Sequence, residues 1–206
     1  MASPTRLYLI RHGEVEARYH RVFGGRIDMD LSPLGQEQAR ALANYLQAVP
    51  FDAIYASPMK RVQQTLEALT ASQQKVPVII DQLREVDFGA WTGLAWDEIQ
   101  GRFGISAFDW LEQLERGGIH EAEPVQRFRS RVQIALDQIF EHSTGLTTAV
   151  VCHGGVIRMM LALLLDLPLS KMAGFDFEYT SVTIVDCLPR KAEVQLLNFT
   201  PWRDRP

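Results

Sequence analysis

The sequence predicts an α/β fold, a mostly parallel sheet with helices on both faces and a small helical cap over one edge. Three observations lead there. Apolar runs of strand length alternate with segments of helical periodicity in the order β-α-β-α-β as far as Ile80, the order of a parallel sheet with helical crossovers. Ser32-Pro33 and Ser57-Pro58 each read as a capping side chain followed by proline in the first helical position. Two strand-like runs, Leu7 to Ile10 and Thr148 to Cys152, are each followed by His-Gly, within two residues of their ends. That suggests two imidazoles at the same edge of one sheet, where ligands of open α/β sheets bind.

Each element has its own signal. Leu7 to Ile10 is a β-prone apolar run that stops abruptly at Arg11, His12 and Gly13. A polar loop, Glu14 to Leu31, carries Arg18, Arg21 and Arg26. Ala39, Leu42, Ala43 and Leu46 recur at helical spacing after Ser32-Pro33. Phe51 to Ala56 is the second strand, and a helix is expected from Pro58 to about Ala71. Val76 to Ile80 reads as the third strand, and Leu83 to Gly93 as a loop. The stretch from Ala95 to Glu115 reads as one or two short helices with Trp96, Phe103, Phe108 and Trp110, aromatics that packing explains better than a cofactor box. Glu123-Pro124 starts a helix through Phe140, and Gly154-Gly155 opens one through Leu165 with Pro168 just beyond. Thr180 to Cys187 and Glu193 to Phe199 are two final strands, expected as an antiparallel pair at the sheet edge.

Composition bounds the function. A chain of 206 residues with 47% hydrophobic content suits one domain over 1–206, with a cap at about 95–121. A net charge of -4 gives no sign of a nucleic-acid partner. Met159 to Leu165 is too short to span a bilayer. The opening Met-Ala-Ser-Pro-Thr-Arg lacks the apolar core of a signal peptide. Cys152 and Cys187 read as reduced core thiols rather than a disulfide. The expectation is a cytoplasmic protein with no membrane partner; the oligomeric state is not legible.

Several residues could carry chemistry. Alone, His12 would be read as a structural histidine. Beside Arg11, and matched by His153 at the end of another strand, it becomes a candidate nucleophile flanked by cations that would suit an anionic group. Arg61 falls in the first turn of its helix, where unpaired N–H groups and the helix dipole favour phosphate and a guanidinium fork adds to both. Glu85 could deliver a proton to a leaving alkoxide, with Asp81 and Asp87 as rivals. A metal set could be assembled from His12, Glu14, Asp28, Asp30 and His153. Its spacing matches no zinc pattern, and the neighbouring arginines would repel a divalent cation, so no metal is expected.

Five blocks in order carry a family resemblance: Ile10-Arg11-His12-Gly13-Glu14; Leu31-Ser32-Pro33-Leu34-Gly35; Ala56-Ser57-Pro58-Met59-Lys60-Arg61-Val62-Gln63-Gln64-Thr65; Leu83 through Gly93; and Val151-Cys152-His153-Gly154-Gly155. The set resembles the histidine phosphatase superfamily, also called phosphoglycerate-mutase-like. Its phosphatase branch is the nearest match, similar to α-ribazole phosphatases and broad-specificity phosphatases. The resemblance implies a three-layer α/β/α sandwich and no cofactor. It implies that His12 becomes phosphorylated, that Arg11, Arg61, Gly154 and a protonated His153 hold the phosphate, and that Glu85 donates the proton. The chain departs from the pattern at Val15, where relatives carry Thr or Ser, and at Arg18, where many carry a phosphate-binding Asn. Arg18 either replaces that contact with a charged one or points outward, and it is carried as a candidate substrate-binding residue. Ala122-Glu123-Pro124 stands where Gly-Glu-Ser is common. The expected activity is hydrolysis of a small phosphate ester. A mutase using the same pocket and a non-catalytic phosphate-binding protein are the alternatives.

Overall fold

Residues 3–204 are described by the computed structural model. Strands β1 (Thr5–Arg11), β2 (Ala53–Ala56), β3 (Val78–Ile79), β4 (Thr147–Cys152), β5 (Val182–Leu188) and β6 (Lys191–Phe199) form one sheet in the order β3-β2-β4-β1-β5-β6. The first four in that order run parallel. β5 pairs antiparallel with β1, and β6 antiparallel with β5. The strand that opposes the others is therefore β5, and β6 closes the edge.

The two faces of β1 show why the chain makes three layers. Successive strand residues point to opposite faces. Tyr8 and Ile10 pack with Leu42 and Leu46 of α1 (Pro33–Leu46) and with Val62, Leu66 and Leu69 of α2 (Lys60–Gln73). Leu7 and Leu9 face the other core, which holds α5 (Val125–Ser143) and α6 (Gly154–Leu164). The cap helices α3 (Trp96–Phe103) and α4 (Trp110–Glu115) join that second core through Ile99, Leu111 and Leu114.

Three boundaries differ from expectation. β3 is only two residues long and exposed, because an edge strand with no helix over it gains little from its apolar side chains. α2 begins at Lys60 with Met59 in the capping position. Ser57 lies before the cap; its hydroxyl accepts the Met59 N–H at 3.4 Å and lies 2.8 Å from His153 Nε2. α5 continues past Phe140 to Ser143, a buried residue whose hydroxyl lies 3.1 Å from that of Tyr55. Ser32 does cap α1, accepting the Gly35 N–H at 2.9 Å. Both cysteines are free thiols. No helix among the described residues is long and apolar enough to cross a membrane.

Candidate active site

Neighbouring strands create the site. β1 and β4 are aligned so that Arg11 pairs with Cys152, and the residues that follow, His12 and His153, emerge together. Their ring centroids are 5.3 Å apart. The His12 N–H donates to the Cys152 carbonyl at 3.1 Å. Nδ1 of His12 lies 2.8 Å from the Gly13 carbonyl, which can only accept, so Nδ1 carries the hydrogen. The lone pair therefore sits on Nε2, where it receives the Arg61 Nε–H at 3.1 Å. Burial, and then the charges of Arg61 and Arg11, hold His12 well below the usual histidine range. It is a neutral base with a single defined tautomer.

His153 is fully buried. Its Nε2 meets Ser57, and its Nδ1 has no hydrogen-bond partner. Burial, followed by Arg61, His12 and Arg11, holds it well below the ordinary value. Burial and four neighbours, Arg61, His12, Arg11 and Arg131, all favour the neutral ring, so the protonated His153 that the resemblance implies calls for an anion beside it. Arg61 is fixed by the Ile27 and Gly25 carbonyls at 2.9 and 3.0 Å, and burial brings its pKa down to about 10. Arg11 donates to the Phe177 carbonyl at 2.6 Å and lies 4.1 Å from the centre of the Tyr179 ring, while its buried Nε has no partner.

Glu85 reaches the same cavity. One carboxylate oxygen accepts the Val86 N–H at 3.0 Å and the other the Gly155 N–H at 3.1 Å. Only glycine allows this approach, since a Cβ on residue 155 would lie 2.4 Å from Glu85 Oε1. Gly13 is equally constrained, as a Cβ there would lie 2.7 Å from the Gly35 carbonyl oxygen. The cavity measures about 260 Å³ and is lined by Arg11, His12, Arg61, Glu85, Gly154 and Arg158 at its polar end. Tyr19, Trp96, Phe108, Trp110, Phe177 and Tyr179 form an aromatic wall. Such a pocket suits a compact anion carried on a group with apolar surface.

Not every expected residue arrives. Arg18 is a correction: it is exposed, donates to Glu16 at 2.9 Å and does not line the cavity. Arg21 lies over Trp96 at 5.3 Å, on an outer extension of the cleft. Arg26 approaches Glu123 instead. Asp81 pairs with Arg84, Asp87 accepts the Gly89 N–H, and neither lines the cavity that Glu85 enters. Val15 is buried and lines the cavity. Glu14 accepts from Ser32, while Asp30 binds Lys60. No group of three His, Cys, Asp or Glu side chains among the described residues could hold a metal ion.

Sequence reasoning missed Arg158. It lines the cavity, donates to the Gly154 and Phe175 carbonyls at 3.2 and 2.8 Å, and leaves its buried Nε without a partner. Burial, and next the charge of Arg11, bring its pKa down to about 10. The available signal was a single cation within the otherwise apolar helix Gly154–Leu164.

The histidine phosphatase superfamily (branch 1) model matches residues 7–200. Phosphoserine phosphatase 1 of Hydrogenobacter thermophilus is 28% identical over 95% of this chain and 93% of its own length. The adenosylcobalamin/alpha-ribazole phosphatase of Escherichia coli is also 28% identical, over 94% of this chain and 95% of its own. The crystal structure of the alpha-ribazole phosphatase from Shigella flexneri superposes with a TM-score of 0.82 at 27% identity, covering 95% of this chain and 96% of that one.

Proposed function

The chain belongs to the histidine phosphatase superfamily (branch 1), and we propose that it hydrolyses phosphomonoesters by passing the phosphoryl group through His12. The observation that carries this reading is the neutral His12, with its Nε2 lone pair turned to Arg61 at the cavity floor. Phosphoryl transfer needs mainly alignment and charge stabilisation, and the pocket is built for both. An incoming phosphate takes the Arg61 Nε–H from His12 and frees the lone pair for in-line attack. Arg11, Arg61 and Arg158 surround its equatorial oxygens, and the unpartnered Nε–H groups of Arg11 and Arg158 find acceptors there. His153 takes up a proton from solvent as the dianion arrives, and its Nδ1 then donates to a phosphate oxygen while Nε2 keeps Ser57.

The N–P bond forms as the ester P–O bond breaks, and Glu85, protonated from solvent before this step, gives that proton to the leaving alkoxide. Water then enters between Glu85 and the phosphohistidine. Glu85 takes a proton from it, the new P–O bond forms, the N–P bond breaks, and inorganic phosphate leaves with His12 restored. The catalytic set is His12, Glu85, His153, Arg11 and Arg61, with Gly154 beside them on the substrate side: a Cβ there would lie 3.3 Å from Arg158 Nη1, close enough to press on that guanidinium. No step calls on a metal ion or an organic cofactor.

The aromatic wall favours an ester whose alcohol carries a flat ring over one as small as phosphoserine. A panel of purified phosphate esters tests the assignment, with free phosphate and positional isomers measured together. Ring-bearing alkyl phosphates should release phosphate with the highest kcat/KM, and 3-phosphoglycerate should yield no 2-phosphoglycerate. Isomer formation outpacing phosphate release would make the chain a mutase.

A further inference from the structure

Glu85 stands on a loop that needs holding. The carbonyl oxygens of Gln82, Arg84 and Glu85 all converge on one guanidinium, that of Arg131 in α5. Arg131 also donates to Glu123, Nε to Oε1 at 2.6 Å and Nη2 to Oε2 at 2.9 Å. Its five N–H donors thus meet five acceptors. Glu123 is buried, and it grips the loop beyond Glu85 as well. Its N–H donates to the Asp87 carbonyl at 2.9 Å, and its Oε2 lies 3.5 Å from the Asp87 N–H. The segment before Glu123 is drawn against the same loop, where the Ala90 N–H donates to the His120 carbonyl at 2.9 Å. Gly89 permits that approach, since a Cβ there would lie 2.3 Å from the backbone of residues 120–122.

We infer that the Glu123–Arg131 pair is a positioning device for Glu85, clamping the backbone on both sides of the proton donor. This rests on the reading of Glu85 as that donor. A buried ion pair is a poor source of net stability, because desolvation offsets much of its attraction. Here its bonds go to one loop, which carries a carboxyl whose placement to within about 1 Å matters for rate. Only arginine can serve: lysine has three donors on a single nitrogen and cannot bridge three carbonyls and a carboxylate.

The test compares an alkyl phosphate with an activated aryl phosphate, whose leaving group needs no proton. Glu85→Gln, Glu123→Gln, Arg131→Lys and the double variant Glu85→Gln/Glu123→Gln are measured together, with circular dichroism and thermal melting as fold controls. Glu123→Gln and Arg131→Lys should each lower kcat on the alkyl ester about tenfold or more, with KM little changed, and lower it less than about threefold on the aryl ester. The double variant should be no slower on the alkyl ester than Glu85→Gln alone, because groups acting as one unit are not additive. Equal losses on both esters, or a full additive loss in the double variant, would make the pair merely structural and overturn the inference. If Arg131→Lys does not fold, the Glu123→Gln pair of measurements decides. If Glu85→Gln itself shows no preference between esters, the donor reading fails first and the clamp falls with it.

Discussion

A single methyl group at Gly155 separates the site from the fold. A Cβ at that position would lie 2.4 Å from Glu85 Oε1 and 3.1 Å from its Cδ. A comfortable carbon–oxygen contact is about 3.3 Å, so the carboxylate must retreat by about 1 Å. The end of a flexible side chain can do so cheaply. The bond from the Gly155 N–H to Glu85 is strained or lost, which costs about 1.5–3 kcal/mol for a charged acceptor. Alanine in a helix recovers up to about 1 kcal/mol over glycine. The net change is about 0.5–2 kcal/mol, a fall in Tm of a few degrees for a chain of this size. A 1 Å displacement of a reacting group costs about 100-fold in rate, or about 2.7 kcal/mol of barrier. Gly155→Ala should therefore stay folded at 25 °C and lose about two orders of magnitude in kcat on an alkyl phosphate, with a smaller loss on an activated aryl phosphate. Steady-state kinetics on both esters beside a thermal melt check this. Unchanged alkyl-ester turnover, or an equal loss on both, would refute the argument that Glu85 works from the position Gly155 allows.

Arg18→Ala should leave kcat/KM within about twofold of the parent, because Arg18 binds Glu16 in solvent; a loss above tenfold in steady-state assays would restore it to the pocket. Stability should depend on pH through the two buried histidines. Their folded pKa values lie below the unfolded value near 6.5, so below that pH the unfolded chain binds more protons, and stability falls with pH until the folded values are reached. Each histidine contributes up to about 1.4 kcal/mol per pH unit in that window. Denaturant midpoints at pH 7.5 and 5.0 should drop less in His12→Asn than in the parent, and identical drops would contradict the buried neutral state.

Much of this was legible because it depends on local physics. β1 and the strand before His153 could be read as strands because Leu7–Ile10 and Ala149–Cys152 are apolar runs buried on both faces. His12 and His153 followed from where those runs stop, and Arg61 from its place in a helix's first turn. What failed depended on tertiary partners. Val76 is apolar but 91% exposed, since nothing covers that edge. Ser57 has the chemistry of a cap, but it lies before the capping position, with its hydroxyl against His153. A loop arginine has no periodicity to fix its direction, so nothing in the sequence showed that Arg18 would lie in solvent against Glu16. Arg158 was hidden in an apolar helix, and Phe177 and Tyr179 hold Arg11 from a loop with no motif of its own.

Rapid quenching of the enzyme with substrate, followed by mapping of the bound phosphate, tests the central claim most directly. The account expects an acid-labile, base-stable phosphate on Nε2 of His12, the ring nitrogen that carries no hydrogen. It should form within one turnover, and it should be absent in His12→Ala. Phosphate on Nδ1, on Ser57 or on a carboxylate, or full turnover with no phosphoenzyme at all, would contradict it.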